Sequence, residues 1–101
     1  PLFENYIVSE VKKIIEHKKL FFNLYYYRTA AGVEIDLIVD KNQSQEWIEI
    51  KTSETFQTKF INSIERTKSP EEIGKLVYRG LTKAGADGIG ILNYKDFLQE
   101  F

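Results

Sequence analysis

The chain has 101 residues, of which 43% are hydrophobic and 29% are charged, with a formal net charge of −1. These values are typical of one soluble globular domain with a modest core, and the absence of cysteine excludes disulfides and thiolate metal sites. No apolar run reaches the roughly 18 residues that span a membrane, and no signal peptide is visible, so a cytoplasmic location is expected. Because the chain begins at Pro1 and contains no methionine, we expect it to be a fragment of a longer chain.

The charge balance bears on nucleic-acid binding. Dedicated binding domains usually carry an excess of positive charge, because they neutralise phosphates. The net charge of −1 therefore argues against tight, autonomous DNA binding. It does not exclude a metal-dependent site, since the acidic residues of such a site are counted in the balance.

The first predicted element is a helix from Phe3 to about Lys19. At about 100° per residue, its apolar side chains fall in one arc and its polar side chains lie opposite. Glu10 falls inside the apolar arc, where an uncompensated charge is costly. It either reaches water at the edge of the arc or meets a partner on the sheet, and the second alternative is favoured. His17 continues the stripe near the helix C-terminus, where a histidine is more often a surface residue than a ligand.

The next segment is rich in aromatic residues. Tyr25-Tyr26-Tyr27 predicts a strand near residues 24–29. Exposed tyrosines beside Arg28 could stack on nucleobases, although such residues more often cover a sheet face. Ala30-Ala31-Gly32 supplies a turn into the following strand.

Residues 33–40 alternate apolar and charged side chains, which predicts a strand with one buried face, and residues 46–52 repeat the pattern. If the polar residues 41–44 form the loop, Asp40 pairs with Gln45, and Asp36 lies directly opposite Glu49. Opposed Cβ atoms in an antiparallel pair are roughly 4.5–5.5 Å apart. Two carboxylates at that separation repel each other unless a cation lies between them.

These residues indicate a metal-dependent site. Mg²⁺ prefers hard oxygen ligands at roughly 2.0–2.1 Å. Such a cation polarises a phosphoryl oxygen and lowers the pKa of a bound water. Lys51, two residues past Glu49 on the same face, would position that water or stabilise developing charge.

An Asp followed after twelve residues by Glu-x-Lys, carried on a hairpin, resembles the signature of the PD-(D/E)XK nuclease superfamily. Ile35 replaces the proline that precedes the Asp in that superfamily. Four ordered blocks also resemble the C-terminal domain of unknown function found in prokaryotic AAA-type ATPases. The blocks are a helix at residues 3–10 and strands at 25–29, 32–36 and 48–53.

The resemblance implies one α/β domain over residues 1–101 with a restriction-endonuclease-like core. An N-terminal helix would pack on a small mixed sheet with a three-stranded meander, followed by a helix and one or more strands. Later segments fit this order, because residues 53–67 predict an amphipathic helix and residues 76–79 and 89–94 predict short strands. Three further expectations are a helix start at Ser69-Pro70-Glu71-Glu72, a flexible loop at 80–88 and a helical turn at 96–101.

The resemblance also implies a function. Asp36 and Glu49 would bind Mg²⁺ or Mn²⁺, with the Ile50 carbonyl as a further ligand. Lys51 would orient the attacking water, and Glu10 would bind through a water or a second metal. The substrate would be DNA or RNA, and the partner would be an upstream ATPase domain of the same parent chain. In the alternative interpretation, the same fold is a docking or regulatory module of that ATPase with an idle acidic cluster.

Overall fold

In the computed structural model the chain forms one six-stranded mixed sheet with helices on both faces, which confirms the α/β class. None of its helices has the length and apolar content to cross a membrane. The elements are α1 (Leu2–His17), β1 (Asn23–Arg28), β2 (Glu34–Asp40), β3 (Gln45–Ile50), a 3₁₀-helix (Thr58–Ile61), α2 (Asn62–Thr67), β4 (Ile73–Tyr78), β5 (Lys83–Ala86), β6 (Ile89–Asn93) and α3 (Tyr94–Leu98).

The strand order is β1-β2-β3-β4-β6-β5. The first three strands form an antiparallel meander, β4 and β6 add in parallel, and β5 closes the far edge in the antiparallel sense. The predicted succession of helix, meander, helix and strand is therefore present. Because of these strand directions, β2 begins at the edge of the sheet where β3, β4 and β6 end. The N-terminus of α1 lies near the same edge.

The central strands are buried on both faces, which corrects the prediction of one buried face for β2. One core cluster joins Leu37, Val39 and Ile48 to α1 and α3. The other joins Ile38 and Trp47 to the 3₁₀-helix and α2. The physical reason is the parallel pairing of β3 with β4, because parallel strands occur where helices cover both sides of a sheet.

The edge strand β1 carries the three tyrosines on its exposed surface. The exposed fractions of Tyr25, Tyr26 and Tyr27 are 52%, 68% and 38%. The Tyr27 ring lies 5.3 Å from the Trp47 ring, centroid to centroid, whereas Leu24 packs against the α1 cluster. Because side chains alternate along a strand, Tyr25 and Tyr27 lie on the α2 face and Tyr26 lies on the α1 face.

Two predictions after β3 are corrected. Residues 53–57 are not helical, and the helix start predicted at Ser69 is a turn that leads into β4. The Ser69 N–H does donate to Glu72 Oε1 at 2.8 Å, as in a capping box. No helix follows, because the apolar residues from Ile73 onward pair with β3.

The predicted loop at 80–88 contains strand β5. Asp87 and Gly88 form the two-residue connection to β6, with φ of 53° and 76°. A two-residue hairpin turn with positive φ at both positions favours Asp-Gly, so the sequence did carry a hairpin signal here.

Gly80 allows the segment after β3 to lie close to the end of β4. The Arg79 N–H donates to the Ser53 carbonyl at 3.1 Å. A Cβ added at Gly80 would collide with the Glu54 carbonyl and lie 2.5 Å from Cε2 of Tyr78. We therefore expect Gly80→Ala to lower the free energy of unfolding by about 2–3 kcal/mol, measured by urea denaturation.

Gly90→Ala is the matched control for this prediction. The nearest atom to a Cβ at Gly90 is Lys75 Cγ at 3.8 Å, an ordinary contact. Its effect should be small by comparison. Equal stability of the two variants would show that the Ser53–Glu54 segment does not press against β4 as described.

Candidate functional site

The hairpin of β2 and β3 has the predicted register. The Lys41 N–H donates to the Ser44 carbonyl at 2.9 Å, and Asp40 pairs with Gln45. The pairing continues to Leu37 with Ile48. Asp36 and Glu49 follow this pair directly along the two strands, and their side chains are in hydrogen-bonding contact.

A β-bulge in β2 helps to place Asp36. Tyr25 pairs with Ile38, but Tyr27 pairs with Ile35. Two residues of β2, Asp36 and Leu37, therefore face the single residue Tyr26 on β1. Strict alternation would put Ile35 on the same face as Leu37, yet Ile35 belongs to the α2-side cluster. Bulges re-aim side chains and occur frequently next to active sites.

The Asp36 carboxylate is fixed at the end of β3. Its Oδ2 accepts a hydrogen bond from the Ile50 N–H at 2.8 Å. In a strand the N–H and C=O of one residue point to the same side, so the Ile50 carbonyl also lies on the β2 side of β3. The predicted carbonyl ligand is therefore adjacent to Asp36.

Glu49 is buried, with 6% of its surface exposed. Burial, together with the hydrogen bond to Asp36 and the Asp36 charge, raises the pKa of Glu49 to about 9, while the charge of Lys51 acts in the opposite direction. Glu49 therefore carries a proton at neutral pH and donates it to Asp36 in a hydrogen bond. The Glu49 proton thus lies between the two carboxyl groups when no cation is present.

A third carboxylate comes from α1, and it belongs to Glu4. Burial, then the charge of Asp36 and a hydrogen bond to it, raises the pKa of Glu4. Glu4, Asp36 and Glu49 are called the acidic cluster below. No group of three or more acidic or histidine side chains is arranged to hold a metal ion.

The prediction for Glu10 is corrected. Its Oε2 lies 3.1 Å from Lys13 Nζ on the same helix. Glu10 is six residues, or about 9 Å of helix, beyond Glu4, and only the N-terminal turn of α1 reaches the start of β2. Spacing contained a signal for Glu4, which lies three and seven residues before Ile7 and Val11, the two fully buried residues of α1.

Lys51 lies on the α2 side of the cluster, opposite Glu4. Its backbone N–H donates to the Val77 carbonyl at 2.9 Å, and its Nζ lies 5.6 Å from the centre of the Phe60 ring. No carboxylate oxygen lies within 4.0 Å of this ammonium. Lys51 is therefore not locked into a structural ion pair with Asp36 or Glu49. His17 lies exposed in the last turn of α1 and takes no part in this site.

A cleft of about 440 Å³ opens beside Asp36 on the α1 side of the sheet. Arg28 and Glu34 form an ion pair across its outer part, with 2.5 Å between Nη2 and Oε1. This cleft is called the Tyr26 cleft below, and it places an exposed aromatic ring and a basic side chain next to the acidic cluster. Its lining is Pro1, Glu4, Tyr26, Arg28, Glu34, Ile35 and Asp36.

Together these features define an α/β domain with an acidic cluster and one unpaired lysine at the edge where β2 begins and β3 ends. The family model described as "Domain of unknown function (DUF4143)" matches residues 1–97, and the chain therefore belongs to that family. The family is commonly found with AAA ATPases. No curated protein and no solved structure matches the chain.

Proposed function

We propose that this domain hydrolyses phosphodiester bonds of nucleic acid with the help of Mg²⁺ or Mn²⁺. The main support is the contact between the carboxyl groups of Asp36 and Glu49. Two carboxyl groups in contact, of which Glu49 is kept protonated by burial and by Asp36, form a site where a divalent cation would replace that proton.

The donor set fits Mg²⁺ by its chemistry. Asp36, Glu49 and the Ile50 carbonyl offer hard oxygen atoms at one end of the hairpin. Mg²⁺ keeps several waters and is usually bound through one or two carboxylates plus substrate phosphates, so it does not need a cage of three protein carboxylates. Glu4 would then act through a water or as a further ligand, in the role that the sequence assigned to Glu10.

Each side chain has a definite task in this proposal. The Ile50 N–H holds Asp36 in place, and Glu49 gives up its proton when the cation binds. The bound cation would supply polarisation of the phosphoryl oxygen and activation of water. The Lys51 ammonium has no carboxylate partner, and its donors are available for the attacking water or for a phosphate oxygen.

The ordered elements support the same proposal. An Asp on β2, Glu-x-Lys on β3 and a parallel β4 after a helix resemble the PD-(D/E)XK nucleases, and we propose that the core is restriction-endonuclease-like. We also propose that an AAA-type ATPase domain lies upstream in the parent chain, as the family association suggests. That domain would supply the affinity for nucleic acid that a net charge of −1 does not favour here.

The second candidate function is a docking or regulatory module with an idle acidic cluster. Two observations favour it. The net charge is negative, and the Lys51 ammonium rests over Phe60 instead of over the carboxylates. In this alternative Glu49 keeps its proton at millimolar metal concentrations.

Metal binding separates the two candidates. At about pH 7 the wild type should bind Mn²⁺ and release close to one proton, because Glu49 has a pKa of about 9 and must ionise. Asp36→Asn keeps an acceptor for the Ile50 N–H but removes the charge of a direct ligand, so affinity should fall more than the roughly 100-fold that is the upper end for loss of an outer-shell partner. Calorimetry in two buffers of different ionisation enthalpy measures both quantities.

Asp40→Asn is the matched control, since Asp40 lies at the other end of β2 and accepts a hydrogen bond from the Asn42 N–H at 2.8 Å. This variant should bind Mn²⁺ like the wild type. A wild-type protein that binds neither Mg²⁺ nor Mn²⁺ at millimolar concentration would favour the idle module.

A further inference from the structure

We propose that the Tyr26 cleft is a subsite for an unpaired nucleotide, whose base stacks on Tyr26 and whose phosphate binds Arg28. This inference rests on the proposed function, because it names single-stranded nucleic acid as the substrate class. The cleft reaches Asp36 and Glu4 at its inner end, so a nucleotide in it would lie next to the acidic cluster. Its volume of about 440 Å³ lies in the range of small-molecule sites.

Tyr26 is placed for stacking. It is the β1 residue that faces the bulge containing Asp36, and 68% of its surface is exposed. It lies on the α1 face, while Tyr25 and Tyr27 lie on the opposite face of the sheet. An exposed ring of this kind stacks on a base whose own face is free. Bases within a duplex are already stacked on each other, so the subsite selects a single strand or an unpaired end.

Arg28 provides the phosphate contact. Its guanidinium has five N–H donors, and the ion pair with Glu34 uses only part of them. That ion pair also orients the planar group within the cleft, since its partner strand β2 is fixed in the sheet. Arginine is well suited to such a site, because its fork geometry matches the oxygen atoms of a phosphate.

The charges in the cleft make binding depend on a metal. Glu4, Glu34 and Asp36 outnumber Arg28 and the N-terminal amine of Pro1, so a phosphate approaching the metal-free cleft meets net negative formal charge. A divalent cation on Asp36 would reverse the sign at the inner end. Nucleic acid should therefore bind measurably only when a divalent cation is present.

Fluorescence anisotropy tests the subsite. The probe is a labelled single-stranded DNA of about 12 nucleotides, with Ca²⁺ as an oxygen-seeking cation of flexible geometry. The wild type should bind the single strand more tightly than its duplex, and chelation should abolish binding. Tyr26→Ala should weaken binding about tenfold, Tyr26→Phe should restore it, and Tyr25→Ala should leave it unchanged. Arg28→Gln should weaken binding and also reduce its salt dependence.

The same variants separate this inference from the proposed function when cleavage is assayed with Mn²⁺. Binding of the single strand without cleavage would remove the nuclease proposal and keep the subsite. Cleavage that is unaffected by Tyr26→Ala would keep the nuclease and remove the subsite. Equal affinity for single strand and duplex, or no wild-type binding with Ca²⁺ present, would also overturn the inference.

Discussion

Lys51→Met is expected to abolish phosphodiester cleavage and to leave metal binding intact. The substitution keeps the length of the side chain but removes the one ammonium beside the acidic cluster that has no carboxylate partner. Loss of a preorganised charge at a developing anion costs about 10²–10³-fold in rate. Metal affinity should stay the same or rise, because a competing positive charge near Glu49 is gone. The assay incubates this domain, and separately the longer parent chain proposed above, with single- and double-stranded DNA and RNA and Mn²⁺.

The control for Lys51→Met is Lys59→Met, an exposed lysine of the neighbouring 3₁₀-helix. It should cleave like the wild type. Cleavage that survives in Lys51→Met would show that another site or a contaminant performs the chemistry. If wild type and parent chain are inert on every substrate while metal still binds, the nuclease proposal is abandoned and the fold alone remains.

The structure also bears on the alternative that Lys51 belongs to a structural ion pair. In that case Lys51→Met would leave the like charges of two carboxylates facing each other, and it would lower the stability of the protein in metal-free buffer. The structure has no ion pair at Lys51, and Glu49 already carries a proton at neutral pH. We therefore expect little change in the free energy of unfolding. A large loss of stability would favour the structural interpretation.

The sequence was sufficient to predict the hairpin that carries Asp36 and Glu49. A short polar loop between two alternating segments determines the register, because a slip of one residue would reverse the faces of every side chain. The observed pairing of Asp40 with Gln45 follows directly from that rule. The local pattern therefore predicted that Asp36 lies near Glu49, but the final direction of the Asp36 side chain also depends on the bulge, which the pattern did not show.

The contribution of α1 could not be predicted in the same way. Periodicity identifies which side of a helix is buried, but it does not determine where along its axis the helix meets the sheet. Glu10 and Glu4 are both acidic residues near the apolar arc, and the axial position of α1 decides between them. The bulge at Asp36 was not predicted for a related reason. It depends on the pairing of β2 with β1, and the alternation of apolar and charged residues in the β2 sequence does not reveal it.

At the opposite end of β3 from the acidic cluster, a network of charged side chains connects the sheet to the residues that follow α3. Glu46 has 4% of its surface exposed, and its carboxylate oxygens lie 2.8 Å from Lys41 Nζ and 2.8 Å from Lys75 Nζ. Lys75 also lies 2.6 Å from Glu100, just beyond α3. Burial acts to raise the pKa of Glu46, but the hydrogen bonds and charges of the two lysines outweigh it, so the pKa lies below its ordinary value.

Glu46→Gln is therefore expected to lower the free energy of unfolding by about 3 kcal/mol at neutral pH, because it leaves two lysines without their buried partner. The expected loss is near the lower end for breaking a buried ion pair, because Lys75 keeps its second ion pair, with Glu100. A carboxylate whose pKa is depressed by folding stabilises the protein above its unfolded pKa, near 4.3, and loses this contribution as pH falls through the folded pKa. The difference between wild type and Glu46→Gln should thus shrink in acid, measured by urea denaturation across pH.

Glu16→Gln, on the exposed side of α1, should show no comparable loss at any pH. A Glu46→Gln deficit of constant size down to acid pH would mean that packing, and not the charge of Glu46, holds this end of the sheet.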